Sequence, residues 1–164
     1  MDIYILRHAI ADDVSASGLE RDRVLTPEGI EKSRSSAKAM RKLGLEFDAI
    51  FSSPFARALQ TAEIVAAELG CSKLIQTREV LGSGCRPEAA LEDLRKAAAG
   101  NASVLVAGHE PMLSALVSIL VSGSPHLSIT MKKGGLCKLT CVRPEPGSAR
   151  LEWLLTSKHL CRTA

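Results

Sequence analysis

The stretch "SVLVAGHEPMLSALVSILVSG", residues 103–123, decides the fold. Its first part, "SVLVAG", is a short apolar run rich in valine, which predicts a strand buried on both faces. Its second part, "EPMLSALVSILVSG", predicts a helix opened by Pro111. Only His109 separates the two. A buried strand that passes almost at once into a helix is one unit of an alternating α/β chain.

Working outward, the same grammar recurs. "DIYILR" at the N-terminus predicts a first strand, and "LTPEGIEKSRSSAKAMRKLG" a helix with Thr26 as N-cap, Pro27 at its first position and Gly44 past its end. "FDAIFSS" predicts a short strand. In "SPFARALQTAEIVAAELG" the apolar residues Phe55, Leu59, Ala62, Val65, Ala66 and Leu69 recur at helical spacing, with Ser53 as cap, Pro54 as first residue and Gly70 as stop. "KLIQTREV" predicts a third strand before a "GSG" turn, and "RPEAALEDLRKAAAG" an amphipathic helix. The tail is different: "GGLCKLTCVR" and "RLEWLLT" flank the turn "PEPGSA" and predict a hairpin. The expected architecture is a three-layer α/β sandwich. Its mostly parallel central sheet carries helices on both faces and an antiparallel C-terminal edge hairpin.

Length and composition set the outer limits. The 164 residues suit one domain, 1–164, with no linker, repeat or low-complexity tract. A net charge of +3 and 3% aromatic residues give no basic-aromatic stripe, which argues against nucleic-acid binding. "MLSALVSILV" is too short and too punctuated by serine to span a bilayer, and the first residues have no basic flank or cleavage site. The five cysteines (71, 85, 137, 141 and 161) contain no C-x-x-C pair; Cys137 and Cys141 share a strand face but nothing completes a metal site. Reduced thiols and a cytoplasmic protein are expected.

Three strand-to-helix junctions carry the chemistry. The first strand ends in Arg7-His8, the second in Ser52-Ser53 with Arg57 just inside the next helix, and the buried strand in Gly108-His109. Each has a plain reading: a solvated strand end, a surface arginine, a histidine cap. In an open α/β sheet, however, all three junctions face the same carboxyl edge, where ligands bind. Two guanidiniums, two imidazoles and helix N-termini at one edge make an anion pocket, with phosphate the natural occupant. Ser52 and Ser53 read as turn and cap, since no G-x-S-x-G elbow surrounds them. His126 lies in a turn after Ser124-Pro125, and His159 near the C-terminus; both read as surface residues. The long polar loop "AIADDVSASGLERDR" after the first strand is a candidate functional segment.

"LRHA", "LTPEG", "SSPFARALQTA" and "VLVAGHEPMLS", in this order, resemble the histidine phosphatase superfamily, with its phosphoglycerate mutase-like fold. The short length without a cap insertion is similar to the SixA-type phosphohistidine phosphatase branch. The likeness runs from Met1 to about Ser122, and the tail hairpin fits it. One departure is Ala9, where most members carry glycine. The resemblance implies that His8 is a nucleophile forming a phosphohistidine intermediate, which water then hydrolyses. A neutral imidazole can do this if its other nitrogen holds the proton.

Arg7 and Arg57 would grip phosphoryl oxygens through their forks, and His109, protonated once phosphate is bound, would add a donor. No cofactor or metal is implied. Glu79, after the third strand, stands where many members have an acid and is the favoured general acid. Glu110 reads equally as a carboxylate at a helix N-terminus, and Asp12 and Asp13 lie in the polar loop.

The expected substrate is phosphohistidine on a signalling phosphotransfer protein, acted on by a monomer. A small phosphorylated metabolite is the alternative substrate. A non-catalytic phosphate-binding or phosphohistidine-binding module and a histidine-based metalloenzyme are the rivals from other classes.

Overall fold

A computed structural model describes residues 1–97 and 99–162. Six strands form one sheet. They are β1 (Asp2–Arg7), β2 (Ala49–Ser52), β3 (Ile75–Thr77), β4 (Ser103–Gly108), β5 (Leu136–Thr140) and β6 (Arg150–Leu155), in the spatial order β3-β2-β4-β1-β5-β6. β1, β4, β2 and β3 are parallel, whereas β5 and β6 run antiparallel as the edge hairpin. Five helices accompany them: α1 (Pro27–Lys42), α2 (Ala56–Glu68), α3 (Pro87–Ala97), α4 (Met112–Ser122) and α5 (Ser157–Cys161). The three-layer α/β sandwich read from the sequence is therefore the fold.

The alternation within β1 builds the layers. Ile3 and Ile5 point to one face, into a core with α3 and α4 that includes Leu91, Leu94, Leu113 and Leu116. Tyr4 and Leu6 point to the other, into a core with α1 and α2 that includes Met40, Ala62, Val65 and Leu160 of α5. All four β1 side chains are buried because the strand is central and covered twice.

Local signals explain most boundaries. Thr26 Oγ1 accepts from the Gly29 amide (3.0 Å) with Pro27 behind it, and Gly44 follows α1 with φ 67°. The second helix departs from expectation. It starts at Ala56, with Phe55 in an extended cap conformation and no side-chain cap, so neither Ser53 nor Pro54 belongs to it. The third strand stops at Thr77, and a 3-10 turn (Glu79–Leu81) follows. The short α5, capped by Thr156, was not read from the sequence.

Gly29 explains why glycine follows "LTPE". A Cβ there would lie 2.0 Å from the Ile10 carbonyl oxygen, which also accepts from the Thr26 amide at 3.0 Å. The start of α1 is thus pressed against the segment that leaves His8. Gly29→Ala is expected to destabilise the protein by about 3 kcal/mol, the upper end of ordinary overpacking. Urea unfolding against the wild type measures this, and an unchanged midpoint would contradict the close approach.

Candidate active site

Sheet register brings the junctions together. Arg7 pairs with Gly108 and Ser52 with Ala107, so β1, β4 and β2 end at one level. The ladder continues one step beyond, with the His8 amide donating to Gly108 O (3.1 Å) and the Ser53 amide to Ala107 O (2.9 Å). His8 and His109 consequently face each other, with ring centroids 5.1 Å apart and planes at 52°. Arg57, the second residue of α2, places Nε 3.3 Å from His8 Nε2. Arg7 donates from Nη1 to Met131 O (2.7 Å), while its buried Nε has no partner among the described residues. His8, Arg57 and His109 are all buried. The four basic residues singled out in the sequence lie at one site.

Hydrogen bonds fix the His8 tautomer. Nδ1 lies 2.7 Å from the Ala9 carbonyl oxygen, which can only accept, so Nδ1 carries the proton. Nε2 receives the Arg57 Nε–H and therefore presents its lone pair. Burial pushes the His8 pKa from 6.5 down to about 4; the Ala9 carbonyl opposes this, and Arg57, Arg7 and Lys133 add to it. The ring is a neutral base at physiological pH, with its free nitrogen on the Nε2 side. The Ala9 amide donates to Thr61 Oγ1 (3.2 Å), which itself donates to Arg57 O (2.7 Å), tying the residue after His8 to α2.

His109 has a different setting. Nε2 is 2.9 Å from Ser53 Oγ, and the buried Nδ1 has no partner among the described residues. Burial, then Arg57, His8 and Arg7, push its pKa down to about 3. It is neutral beside the Arg57 and Arg7 cations, and a dianion placed among them would reverse the local field and favour its protonated form. The Phe55 ring packs on His109 at 5.2 Å and lies under the Arg57 guanidinium at 5.5 Å, walling the site with an apolar face.

Ser53, Phe55 and Glu20 are site residues the sequence reading did not identify. Glu20, in a 3-10 turn (Glu20–Asp22) of the long polar loop, puts Oε1 3.0 Å from Arg57 Nη2 and 2.8 Å from Arg23 Nη1. Its carbonyl oxygen also accepts from Arg57 Nη1 at 2.8 Å. These cations, Arg23 foremost, hold the Glu20 carboxyl below its ordinary range. A carboxylate thus sits between the Arg23 and Arg57 guanidinium groups at this edge.

The remaining candidates fall outside this cluster. Glu79 is exposed, and its side chain makes no hydrogen bond or ion pair among the described residues. Its turn nevertheless reaches the site's wall, because the Cβ position of Gly82 is 3.5 Å from the Phe55 ring. Glu110 accepts from Ser114 Oγ (2.5 Å), and Asp12 and Asp13 are exposed. His126 is exposed, and His159 is engaged by Thr156 Oγ1 at 2.9 Å. All five cysteines are free thiols; burial pushes the Cys137 thiol up to about 12, which makes it inert. Among the described residues no helix is long and apolar enough to cross a membrane.

Comparison with known proteins agrees with this geometry. Residues 3–82 match the histidine phosphatase superfamily (branch 1). Phosphohistidine phosphatase SixA of Escherichia coli is 35% identical, over 98% of this chain and 96% of its own. An uncharacterised protein of Picosynechococcus is 35% identical, over 93% of this chain and 89% of its own. A solved structure of the protein histidine phosphatase SixA complexed with tungstate superposes with a TM-score of 0.84 at 27% identity, covering 98% of this chain and 99% of that one. The paired imidazoles, the two arginines and full-length similarity to SixA place this chain in the histidine phosphatase superfamily, within its SixA branch.

Proposed function

We propose that this protein is a metal-independent phosphohistidine phosphatase acting on a phosphorylated protein through a phosphohistidine intermediate on His8. The superfamily relationship supports a phosphatase. The observation that carries the finer reading is the His8 tautomer: Nδ1–H on the Ala9 carbonyl and an Nε2 lone pair facing Arg57. The related SixA structure holds tungstate, a tetrahedral oxyanion of phosphate's charge and shape, which supports phosphate as the ligand here.

The reaction follows from these groups. His8 Nε2 attacks phosphorus in line, forming the N–P bond as the bond to the substrate's imidazole nitrogen breaks. Arg7, Arg57 and His109 hold the equatorial oxygens and stabilise their charge. With the substrate ring protonated on its other nitrogen, the group that leaves is a neutral imidazole, whose conjugate acid has an ordinary pKa of about 6.5, so it is expelled far more readily than an alkoxide. That lowers the demand for a dedicated acid, which agrees with the exposed position of Glu79. Glu79 is our assignment for the general acid where a substrate needs one, since its turn borders the Phe55 wall. Water then attacks the phosphorus, the P–O bond forms as the P–Nε2 bond breaks, inorganic phosphate leaves, and His8 recovers its Nε2 lone pair with Nδ1 still protonated on the Ala9 carbonyl.

Phosphate release measured on a phosphohistidine-bearing domain, on sugar phosphates and on nucleotides, in excess chelator, tests the reading. The phosphohistidine domain is expected to give the highest kcat/KM, unaffected by the chelator. A sugar phosphate turned over faster would make the protein a metabolite phosphatase. Loss of activity in chelator would remove the metal-independent claim.

A further inference from the structure

Beside the catalytic pocket lies a cleft of about 750 Å³ that the chemistry above does not use. Ile10 and Cys161 line it together with Lys32, Lys132, Lys133, Lys158 and Arg162, and among the described residues no carboxylate lines it. Lys32 is paired with Glu28 on α1. Lys132, Lys133, Lys158 and Arg162 are exposed and have no acidic partner among the described residues. Elsewhere Arg23, Arg41, Arg78, Arg95, Lys96 and Arg150 each face a carboxylate, and the unpaired cations of the remaining surface do not line one cleft together as these four do. Four unneutralised cations around one trough, on a chain whose net charge is only +3, are a local concentration of charge.

The cleft is bolted to the nucleophile. The segment carrying Lys132 and Lys133 accepts the Arg7 guanidinium at Met131 O (2.7 Å), receives the Arg7 amide at Gly135 O (3.0 Å), and donates from the Gly134 amide to His8 O (3.0 Å). Ile10, two residues past His8, forms part of its wall. Lys133 is close enough for its charge to depress the His8 pKa. A ligand in the trough therefore lies against the same backbone that holds Arg7 and His8.

From this arrangement we infer that the trough formed by the 132–133 loop, α5 and the start of α1 is a docking surface for an acidic protein face flanking the phosphorylated histidine. The inference rests on the phosphoprotein reading above and adds the charge of the partner. Protein is favoured over nucleic acid because no aromatic side chain lines the trough for base stacking. The exposed charges would act mainly on encounter and register, so their contribution is sensitive to salt.

Two readouts test it on the full-length protein. The first is fluorescence anisotropy of a labelled, unphosphorylated glutamate-rich peptide. Binding is expected to weaken about tenfold or more in Lys158→Glu/Arg162→Glu and in Lys132→Glu, which lies outside the terminal helix, but not in the distant control Lys73→Glu. Equal binding by wild type and both reversed variants, no binding by wild type, or a preference for an RNA oligonucleotide would each overturn the proposal. The second readout is kcat/KM on an acidic phosphohistidine domain against free phosphohistidine. The reversed variants are expected to lose about tenfold on the domain and less than about twofold on the small substrate. Parallel changes on both substrates, or none on either, would overturn docking. Absence of turnover on every phosphohistidine substrate would defeat the proposed function instead, and the peptide readout would still decide the trough.

Discussion

Replacing His8 with alanine is expected to lower phosphate release at least about a thousand-fold, since a covalent route loses its nucleophile while the anion-binding groups remain. Arg7, Arg57 and His109 would still bind phosphate, so the loss should appear in kcat more than in KM. The pH profile sharpens this expectation. His8 is active when Nε2 is unprotonated, and burial pushes its pKa to about 4. The acidic limb of kcat/KM, which reports the free enzyme, is therefore expected near pH 4 rather than near the ordinary histidine value of about 6.5.

The direction is fixed: activity holds above the limb and falls as pH drops through it, because an imidazolium has no lone pair to attack with. Folding linkage runs the same way. Below about 6.5 the unfolded chain binds protons that the native His8 and His109 refuse, so stability declines as pH falls toward 4. Rates at low pH are therefore to be read alongside a circular-dichroism check of the fold. A limb near 6.5 with the fold intact would mean that His8 is solvated and unconstrained.

Arg57→Ala is expected to cost about a hundred- to a thousand-fold in kcat/KM, the usual loss for one donor of a prearranged oxyanion site. Arg57→Lys is expected to recover little of it. The reason is geometric. One guanidinium reaches His8 Nε2 through Nε (3.3 Å), Glu20 O through Nη1 (2.8 Å) and Glu20 Oε1 through Nη2 (3.0 Å), in three directions at once. An ammonium is a single point charge and cannot hold that fork. Arg57 is also among the groups that depress both imidazoles, so Arg57→Ala is expected to shift the acidic limb upward. Steady-state kinetics of the two variants across pH check both parts. Full activity in Arg57→Lys would show that charge alone suffices at this position.

How much of this could be read from the chain depended on whether the signal was local. β1 and β4 were legible because a strand covered on both faces is an unbroken apolar run, and Pro27, Gly44 and Gly123 punctuate their neighbours. Given parallel strands, topology places their carboxyl ends together, and that brought Arg7, His8, Arg57 and His109 to one edge without any long-range knowledge. Ser53 was read as a helix cap because Ser-Pro before an amphipathic run is a cap signal. The helix starts later, at Ala56, and the hydroxyl is left to meet His109 Nε2.

Glu20 was hidden for another reason. Its partners Arg23 and Arg57 come together only when the loop folds back onto α2, and no periodicity marks that contact. The loop is anchored there by the Leu25 amide on Gln60 Oε1 at 2.8 Å. Phe55 looked like one more apolar residue of α2, although it stands just outside the helix as the wall of the site. The five residues of α5 are too few to show a helical period. The strand expected over "KLIQTREV" is shorter at both ends, because Lys73 and Leu74 lie in a 3-10 turn (Ser72–Leu74) and Glu79 and Val80 in another, whose Leu81 is buried in the core.

The proposed reaction requires that phosphorus become bonded to His8 Nε2. Turnover of a phosphohistidine substrate carrying labelled phosphate, quenched in alkali and digested, locates the phosphoryl group directly. The expected result is a base-stable, acid-labile label on the peptide containing His8, absent from His8→Ala. Phosphate release with the label on another residue, Ser53 or His109 above all, or a label that survives His8→Ala, would contradict it.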